Sequence, residues 1–253
     1  MRNVLASASG VHRTDLDVLQ QHRRVWAARA ELRSVYQEFF DALLGAAGDR
    51  RPIVELGAGP GFFKEYCPRL IAADVLPVDG VDLVCDACAL PFTHGSVGAI
   101  VLLDVLHHLP RPLDFMTEAA RVLAPGGRLA IIEPWMTPAS YLLYRYFHHE
   151  ECRLSIDVAR PFATSGKRAF DGNATIPFKL MRHYRTTPPP LQLVRHEPFL
   201  ALPYLATLGF KRSGPLPRSL IGMARWLETA LGPIGRWNAT RALQVWEKPA
   251  VKA

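Results

Sequence analysis

The apolar positions near the start of the chain recur three or four residues apart, which is the spacing of one face of a helix. The pattern begins near Thr14 and continues to Ala47, and Gly45 and Gly48 mark its end. One long N-terminal helix over residues 14–47 is therefore predicted. Its apolar positions are Leu16, Leu19, Val25, Leu32, Val35, Tyr36, Phe39, Phe40, Leu43 and Leu44.

Between residues 50 and 135, short apolar runs alternate with helical patterns. This alternation is typical of an α/β fold with a parallel, doubly wound sheet. Helices are predicted over residues 62–69, broken near Pro68, and over residues 113–123, closed by Pro125-Gly126-Gly127. Strands are predicted over residues 53–56, 70–75, 81–85, 99–103 and 128–132.

The pattern changes after Pro134. A helix is predicted over residues 141–147, but residues 151–198 have little periodicity and contain several prolines. Since this stretch is too long for an ordinary loop, an insertion that covers a substrate is predicted over residues 136–208. The remaining predictions are a sixth strand beginning near Phe210, a helix over residues 220–231 and a last strand over residues 242–246.

The most informative motif is Val54-Glu55-Leu56-Gly57-Ala58-Gly59-Pro60-Gly61, which lies between a predicted strand and a predicted helix. Three glycines at alternate positions let a ligand approach the backbone closely. A dinucleotide-binding fingerprint, G-x-G-x-x-G, would place its last glycine where Phe62 stands. The acid Glu55 suits a ligand with a positive charge. The turn therefore favours S-adenosylmethionine over a nicotinamide cofactor.

Five predicted strands end in, or directly before, an acidic residue. Because ligands bind at the carboxyl ends of parallel strands, these carboxylates are expected on one rim of the sheet. Asp74 is expected to accept hydrogen bonds from both ribose hydroxyls, and Asp86 one from the adenine amino group. Glu55 is expected near the amino end of the ligand, acting through water or backbone contacts. The five acids are Glu55, Asp74, Asp86, Asp104 and Glu133.

With these acids, further motifs occur in order: Asp86-Ala87-Cys88-Ala89-Leu90-Pro91-Phe92, Leu103-Asp104-Val105-Leu106-His107-His108-Leu109 and the segment from Glu118 to Gly127. The chain resembles the class I S-adenosylmethionine-dependent methyltransferases of the small-molecule type 11 group over residues 50–135. The resemblance implies a Rossmann-like, seven-stranded, mostly parallel sheet with an antiparallel last strand. The expected cofactor-binding residues are Glu55, Gly57, Ala58, Gly59, Gly61, Asp74, Val75, Asp86, Ala87, Leu103 and Asp104.

We expect one methyltransferase domain over residues 1–253. It would contain the N-terminal helix, a cofactor-binding core over residues 50–135, the substrate cover and the C-terminal part of the sheet over residues 209–253. The first helix of the core is short, because few residues separate the glycine turn from Asp74.

Methyl transfer is an in-line displacement, so the protein must align the nucleophile and remove its proton where needed. Asp104, His107 and His108 follow the fourth predicted strand, near the expected position of the methyl group. Either histidine is a candidate base, since an imidazole exchanges protons near neutral pH. The alternative is that the histidine pair caps the turn or packs beneath the cofactor.

A second candidate cluster is His148, His149 and Glu150, which follows the fifth strand. These side chains could bind or deprotonate a substrate hydroxyl, or they could be structural. Adjacent histidines on a helix point in different directions, which disfavours a shared metal. No metal site is expected here or at Cys85-x-x-Cys88, which lacks a second cysteine pair.

The composition limits the partners. The net charge of +7 comes from 30 basic and 23 acidic residues and is spread along the chain. It indicates a solvated basic surface, or affinity for an acidic substrate or an anionic membrane face. No nucleic-acid-binding motif is present. No apolar run approaches the ~20 residues of a membrane span, and no secretory signal is recognised, so a cytoplasmic location is expected.

The leading hypothesis is methyl transfer from S-adenosylmethionine to a small molecule or to a carrier-linked glycan or lipid. Oxygen is the preferred acceptor atom, and carbon and nitrogen are left open. One alternative is a catalytically silent subunit that binds S-adenosylmethionine or serves as a scaffold. A nicotinamide-dependent oxidoreductase is a weaker alternative, because position 62 is not glycine. The oligomeric state is left open.

Overall fold

The strands of this protein form one sheet with helices on both faces. The computed structural model describes residues 13–147, 151–161, 170–211 and 214–250. Within these ranges the sheet has seven strands in the order β3-β2-β1-β4-β5-β7-β6. The strands are β1 (Ile53–Leu56), β2 (Ile71–Asp74), β3 (Leu83–Val84), β4 (Val97–Leu103), β5 (Leu123–Pro134), β6 (Gln192–Phe199) and β7 (Arg241–Glu247).

Strands β1 to β5 pair in parallel, whereas β7 is antiparallel to both β5 and β6. This confirms the prediction of a mostly parallel, Rossmann-like sheet with an antiparallel last strand. Every residue of β1 is buried, as expected for a strand covered on both faces. The strand order reverses between β1 and β4, which opens a crevice at the carboxyl ends of these two strands.

The helices pack in two layers. On one face, Val35 and Leu43 lie in the same apolar core as Ile53 and Val101 of the sheet. On the other face, Phe115 and several neighbours pack against the opposite side of the same strands. The helices are α1 (Arg13–Ala28), α2 (Ala30–Ala47), α3 (Phe62–Tyr66), α4 (Pro112–Val122), α5 (Pro138–Phe147), α6 (Ile176–His183), α7 (Leu202–Thr207) and α8 (Arg218–Trp237).

The prediction of one continuous N-terminal helix is wrong, because the chain breaks at Arg29 between α1 and α2. Arg29 has φ −124° and ψ 88°, and its side chain is fully buried. Its guanidinium donates to Glu31 Oε1 at 2.8 Å, to the Gly209 carbonyl at 2.7 Å and to the Thr207 carbonyl at 2.8 Å. The buried charge therefore joins the N-terminal helices to the end of α7.

The sixth strand is also different from the prediction. It lies at Gln192–Phe199, inside the predicted substrate cover, and does not begin near Phe210. Phe210 instead belongs to a short 3₁₀ turn and stacks on His22, with ring centroids 4.3 Å apart. Strand β6 is an edge strand with many polar residues, which explains why its apolar pattern is weak.

Several other bounds differ. Strand β5 begins at Leu123, so the predicted turn Pro125-Gly126-Gly127 lies within it, where the pairing with β4 shifts in register. Strand β3 has only two residues. Helix α8 extends beyond the predicted limits and contains a break at Gly232, where φ is 44°.

No helix in the described ranges is long and apolar enough to cross a membrane.

Replacing Arg29 by Met tests the buried charge. We expect the free energy of unfolding to fall by about 3–5 kcal/mol, because Glu31 would stay buried without its partner. Urea denaturation measures this. Arg24→Met at an exposed position is the control, with an expected change within about 0.5 kcal/mol. Equal stability of the two variants would contradict the assigned role.

Candidate active site

The glycine turn after β1 packs closely against its own protein neighbours. Gly57 and Gly61 have φ of 69° and 80°, which L-residues rarely adopt. A Cβ at Gly57 would lie 2.4 Å from Cγ2 of Val105, and one at Gly61 would lie 3.1 Å from the Gly80 carbonyl oxygen. These glycines therefore permit internal packing, a reason that differs from the predicted close approach of a ligand. The contact also places the turn beside the segment that follows β4.

Two buried carboxyl groups lie beside this turn. Oε2 of Glu55 makes no hydrogen bond to any described residue. Burial, and then the charge of Asp74, raises the pKa of Glu55 to about 8. Asp74 accepts hydrogen bonds from the N–H groups of Gly59 at 2.7 Å and Leu76 at 2.8 Å. Burial also raises the pKa of Asp74.

This arrangement fits the charge of S-adenosylmethionine. A buried carboxyl oxygen without a hydrogen-bond partner is costly, and a cationic ligand group beside Glu55 would supply one. Backbone N–H groups occupy part of the accepting capacity of Asp74, and a carboxylate has about four acceptor positions, so it can also accept hydrogen bonds from hydroxyl groups. Val75 next to it is exposed and offers an apolar surface for a flat ring.

Helix α1 lies over the same turn, which the sequence did not reveal. Cδ2 of Leu19 would lie 3.5 Å from a Cβ at Gly59, and Arg23 donates to the carbonyl of Asp79. Helical periodicity predicted the helix but carried no information about which site it covers.

Asp86 lies two residues beyond the end of β3. It is exposed, accepts a hydrogen bond from the Cys88 N–H at 2.8 Å and faces the Arg111 guanidinium at 3.4 Å. Ala87 beside it is half-buried. Burial raises the pKa of Cys85 to about 11 and that of Cys88 to about 12, so both remain thiols at neutral pH. This argues against redox chemistry at this pair.

The Glu133 carboxylate organises the turn that follows β4. Its Oε1 accepts hydrogen bonds from the N–H groups of Val105 at 2.7 Å and Leu106 at 2.6 Å. Its Oε2 lies 2.5 Å from Nδ1 of His107, and both side chains are buried. An acceptor at Nδ1 favours the tautomer that carries its proton there. The carboxylate therefore fixes the orientation of this imidazole.

Asp104, the first residue after β4, is held by an arginine from the far end of the chain. Arg241 donates to both Asp104 oxygens, at 2.6 and 2.8 Å. The guanidinium lies 4.2 Å from the ring centroid of Tyr204 and 5.4 Å from that of Phe39. Asp104 has φ 57°, an uncommon conformation for a non-glycine residue. Arg241 was missed, because nothing in the sequence distinguishes this arginine from those of a solvated surface.

The two histidines have different surroundings. Their rings lie 4.1 Å apart, with His107 buried and His108 half-buried. The His107 carbonyl accepts a hydrogen bond from the Asn173 N–H at 2.9 Å. A Cβ at Gly172 would lie 2.7 Å from Nδ1 of His108. Residues 172–173 therefore lie against both histidines, and Glu133 orients the imidazole of His107.

The structure thus groups the predicted residues into three places. Glu55 and Asp74 flank the glycine turn, whereas Asp86 follows β3 and faces Arg111. Ligand atoms of Asp104, His107 and Glu133 lie within 4.8 Å of one another, a separation that a metal ion could bridge. The carboxylate oxygens of this group are already engaged by Arg241, backbone N–H groups or the imidazole. The remaining candidates, His148, His149 and Glu150, lie outside the described residues.

A cavity of about 670 Å³ lies beside this rim, between α2, β6, α7 and α8. It does not include the glycine turn. Phe39 and Tyr204 line it and also contact Arg241, so these two rings separate the cavity from Asp104.

Comparison with known proteins finds similarity to methyltransferases. The family model described as a methyltransferase domain matches residues 54–131. A ubiquinone biosynthesis O-methyltransferase of Xanthomonas axonopodis pv. citri (strain 306) is 26% identical over 171 residues, covering 56% of this chain and 69% of that protein. A 27-O-demethylrifamycin SV methyltransferase of Amycolatopsis mediterranei (strain S699) is 29% identical over 117 residues, covering 37% of this chain and 41% of that protein.

The fold agrees with these relatives. A solved structure of a SAM dependent methyltransferase from Archaeoglobus fulgidus matches with a TM-score of 0.50 and 15% identity, covering 85% of this chain and 94% of that chain. The matched residues 54–131 contain the glycine turn and Asp74. The alternative of a nicotinamide-dependent oxidoreductase is therefore wrong. Residues 54–131 carry a methyltransferase domain, and the chain is similar in sequence and in fold to S-adenosylmethionine-dependent methyltransferases.

Proposed function

We propose that this enzyme transfers a methyl group to an oxygen atom of a small molecule or of a carrier-linked glycan or lipid. The observation that carries the proposal is the buried pair of Glu133 and His107, held beside the glycine turn. An oxygen nucleophile gains reactivity when a base removes its proton, and an oriented imidazole suits that task. The names of two relatives, which include O-methyl chemistry, support the choice of oxygen.

We assign separate roles to the residues along the carboxyl ends of the strands. Glu55, Asp74 and the backbone of residues 57–61 would bind the donor, with Val75, Asp86, Ala87 and Leu103 completing its surroundings. The donor supplies an activated methyl group on a sulfonium. His107 would accept the proton of the acceptor hydroxyl, while Glu133 stabilises the imidazolium that results. Asp104, fixed by Arg241, would position the acceptor.

We further propose that residues 1–253 form one domain and that the segment between β5 and β6 covers the acceptor. In the described part of this segment, residues 172–173 already lie against His107 and His108. The proposed reaction requires no metal, because the imidazole provides the base. His108 would pack beside the base, and His148, His149 and Glu150 remain candidates for the acceptor side.

Removing the Asp74 carboxylate should weaken donor binding. For Asp74→Ala we expect S-adenosylhomocysteine affinity to fall about 10- to 100-fold, since hydrogen bonds to a charged group contribute about 1.5–3 kcal/mol. Isothermal titration calorimetry measures this. Asp79→Ala at a nearby exposed position is the matched control and should bind like wild type. Similar affinities for the two variants would contradict the role of Asp74.

Donor binding should release a proton from Glu55. With a pKa of about 8, this carboxyl is mostly protonated at pH 7, and a cationic ligand beside it would lower that pKa and ionise it. We expect release of about one proton, measured by calorimetry at pH 7 in buffers of different ionisation enthalpy. Glu55→Gln should bind without the release. If wild type releases no proton, the ligand cation does not meet this carboxyl.

Replacing His107 by Ala tests the proposed base. We expect kcat to fall about 10²- to 10⁴-fold, with donor affinity nearly unchanged. Formation of S-adenosylhomocysteine with a panel of phenols and alcohols measures this. His108→Ala and the exposed His94→Ala are controls, with expected losses below about tenfold. A His107→Ala variant that retains wild-type kcat would show that another group, or the solvent, takes the proton.

A further inference from the structure

Helix α8 presents an apolar stripe to solvent. Met223 and Trp226 are 53% and 68% exposed, and Leu227 and Leu231 are exposed on the same side. Their spacing of three or four residues places them on one face. The opposite face packs inward through Ile221 and Ala224. Helix α8 therefore has a second apolar face that no described part of the chain covers.

Two more exposed apolar side chains follow the break at Gly232. Ile234 is 66% exposed and Trp237 is 81% exposed. By contrast, Trp26 and Trp246 are buried in the cores on either side of the sheet. Single exposed apolar side chains are ordinary, but a run with two exposed tryptophans marks an interaction surface.

The exposed charges that α8 itself carries have one sign, and Arg225 of this helix pairs with Glu38 of α2. Arg218 and Arg236 are exposed, whereas the carboxylate of Glu228 is half-buried. Glu228 points inward and accepts hydrogen bonds from the N–H groups of Ala201 and Leu202, at 3.0 and 2.9 Å. The exposed part of α8 therefore combines tryptophans and arginines without an exposed acid.

The exposed arginines indicate which partner fits this face of α8. A two-fold pairing with a second copy of the chain would place the exposed arginines of two identical faces near each other, which disfavours that contact. An anionic lipid surface attracts arginines, and its interfacial zone accommodates tryptophan rings. We propose that α8 docks on an anionic lipid bilayer, with Trp226 and Trp237 in the interfacial zone.

The same face lies near the catalytic edge of the sheet. Helix α8 ends at Trp237, and three residues separate it from Arg241, which begins β7 and binds Asp104. Helix α5 is hydrogen-bonded to this connection, because Tyr144 donates to the Thr240 carbonyl at 2.7 Å. Like α8, α5 exposes apolar and basic side chains: Leu142, Arg145 and Tyr146. Docking would bring the bilayer beside the edge that carries the proposed acceptor site.

Vesicle sedimentation of the full chain tests the proposal without reference to activity or acceptor. Phosphatidylcholine vesicles with and without phosphatidylglycerol are the probes. Wild type should sediment with the anionic vesicles and much less with the neutral ones, and added salt should weaken binding. Trp226→Ser/Trp237→Ser should bind the anionic vesicles about tenfold more weakly or worse, since it removes the two largest apolar groups of the face.

The controls test whether binding is specific to this face of α8 or is a nonspecific effect of any exposed apolar side chain. Val194→Ser/Leu154→Ser removes two apolar side chains that are 44% and 43% exposed elsewhere, and it should bind like wild type. Arg218→Gln/Arg236→Gln should reduce the preference for anionic vesicles. Circular dichroism melting verifies that each variant is folded.

Two outcomes would overturn the proposal. One is that wild type and Trp226→Ser/Trp237→Ser sediment equally with anionic vesicles. The other is that light scattering finds a wild-type dimer which this double substitution converts to a monomer, since α8 would then bind a second copy of the chain.

Discussion

The edge of the sheet where β4 and β5 end depends on one buried carboxylate. Glu133, near the end of β5, accepts hydrogen bonds from two successive N–H groups after β4 and engages the imidazole of His107. Because β4 and β5 pair in register up to Leu103 and Ile132, the carboxylate meets the chain just where β4 ends. Glu133 therefore holds both His107 and Val105, the residue that packs beside Gly57.

The Asp104–Arg241 pair extends the same edge across the sheet. A left-handed backbone at a non-glycine residue costs about 1–3 kcal/mol, so Asp104 must be held by its surroundings. The two-pronged contact with Arg241 does this, and Arg241 is held in turn against the rings of Tyr204 and Phe39. The edge is thus one connected structure from β1 to β7. Its geometry depends on residues far apart in the chain.

The sequence predicted well what local patterns determine. Strand β1 was correct to the residue, because strands buried on both faces are continuous apolar runs with clear ends. The break at Arg29 was missed, since the apolar face continues on both sides of it and one inward-turned arginine leaves no trace in the periodicity. Strand β6 was missed because an edge strand needs little apolar character. At the site, Glu55 and Asp74 lie beside the glycine turn as predicted, whereas Arg241 could not be found, because its partner lies 137 residues away.

A basic protein should attract an anionic surface but repel a cationic donor. The distribution of charge in this protein allows it to do the first without the second. A chain with a charge of +7 repels a cationic donor at long range. At about 0.15 M salt, however, exposed charges act over only about 8 Å, so the buried acids Glu55 and Asp74 dominate at the glycine turn. Arg241, the buried cation nearest the proposed acceptor, is neutralised by Asp104. The basic excess therefore lies on the outer surface, where α8 carries its exposed arginines, and it can attract an anionic surface without weakening the binding of a cationic donor.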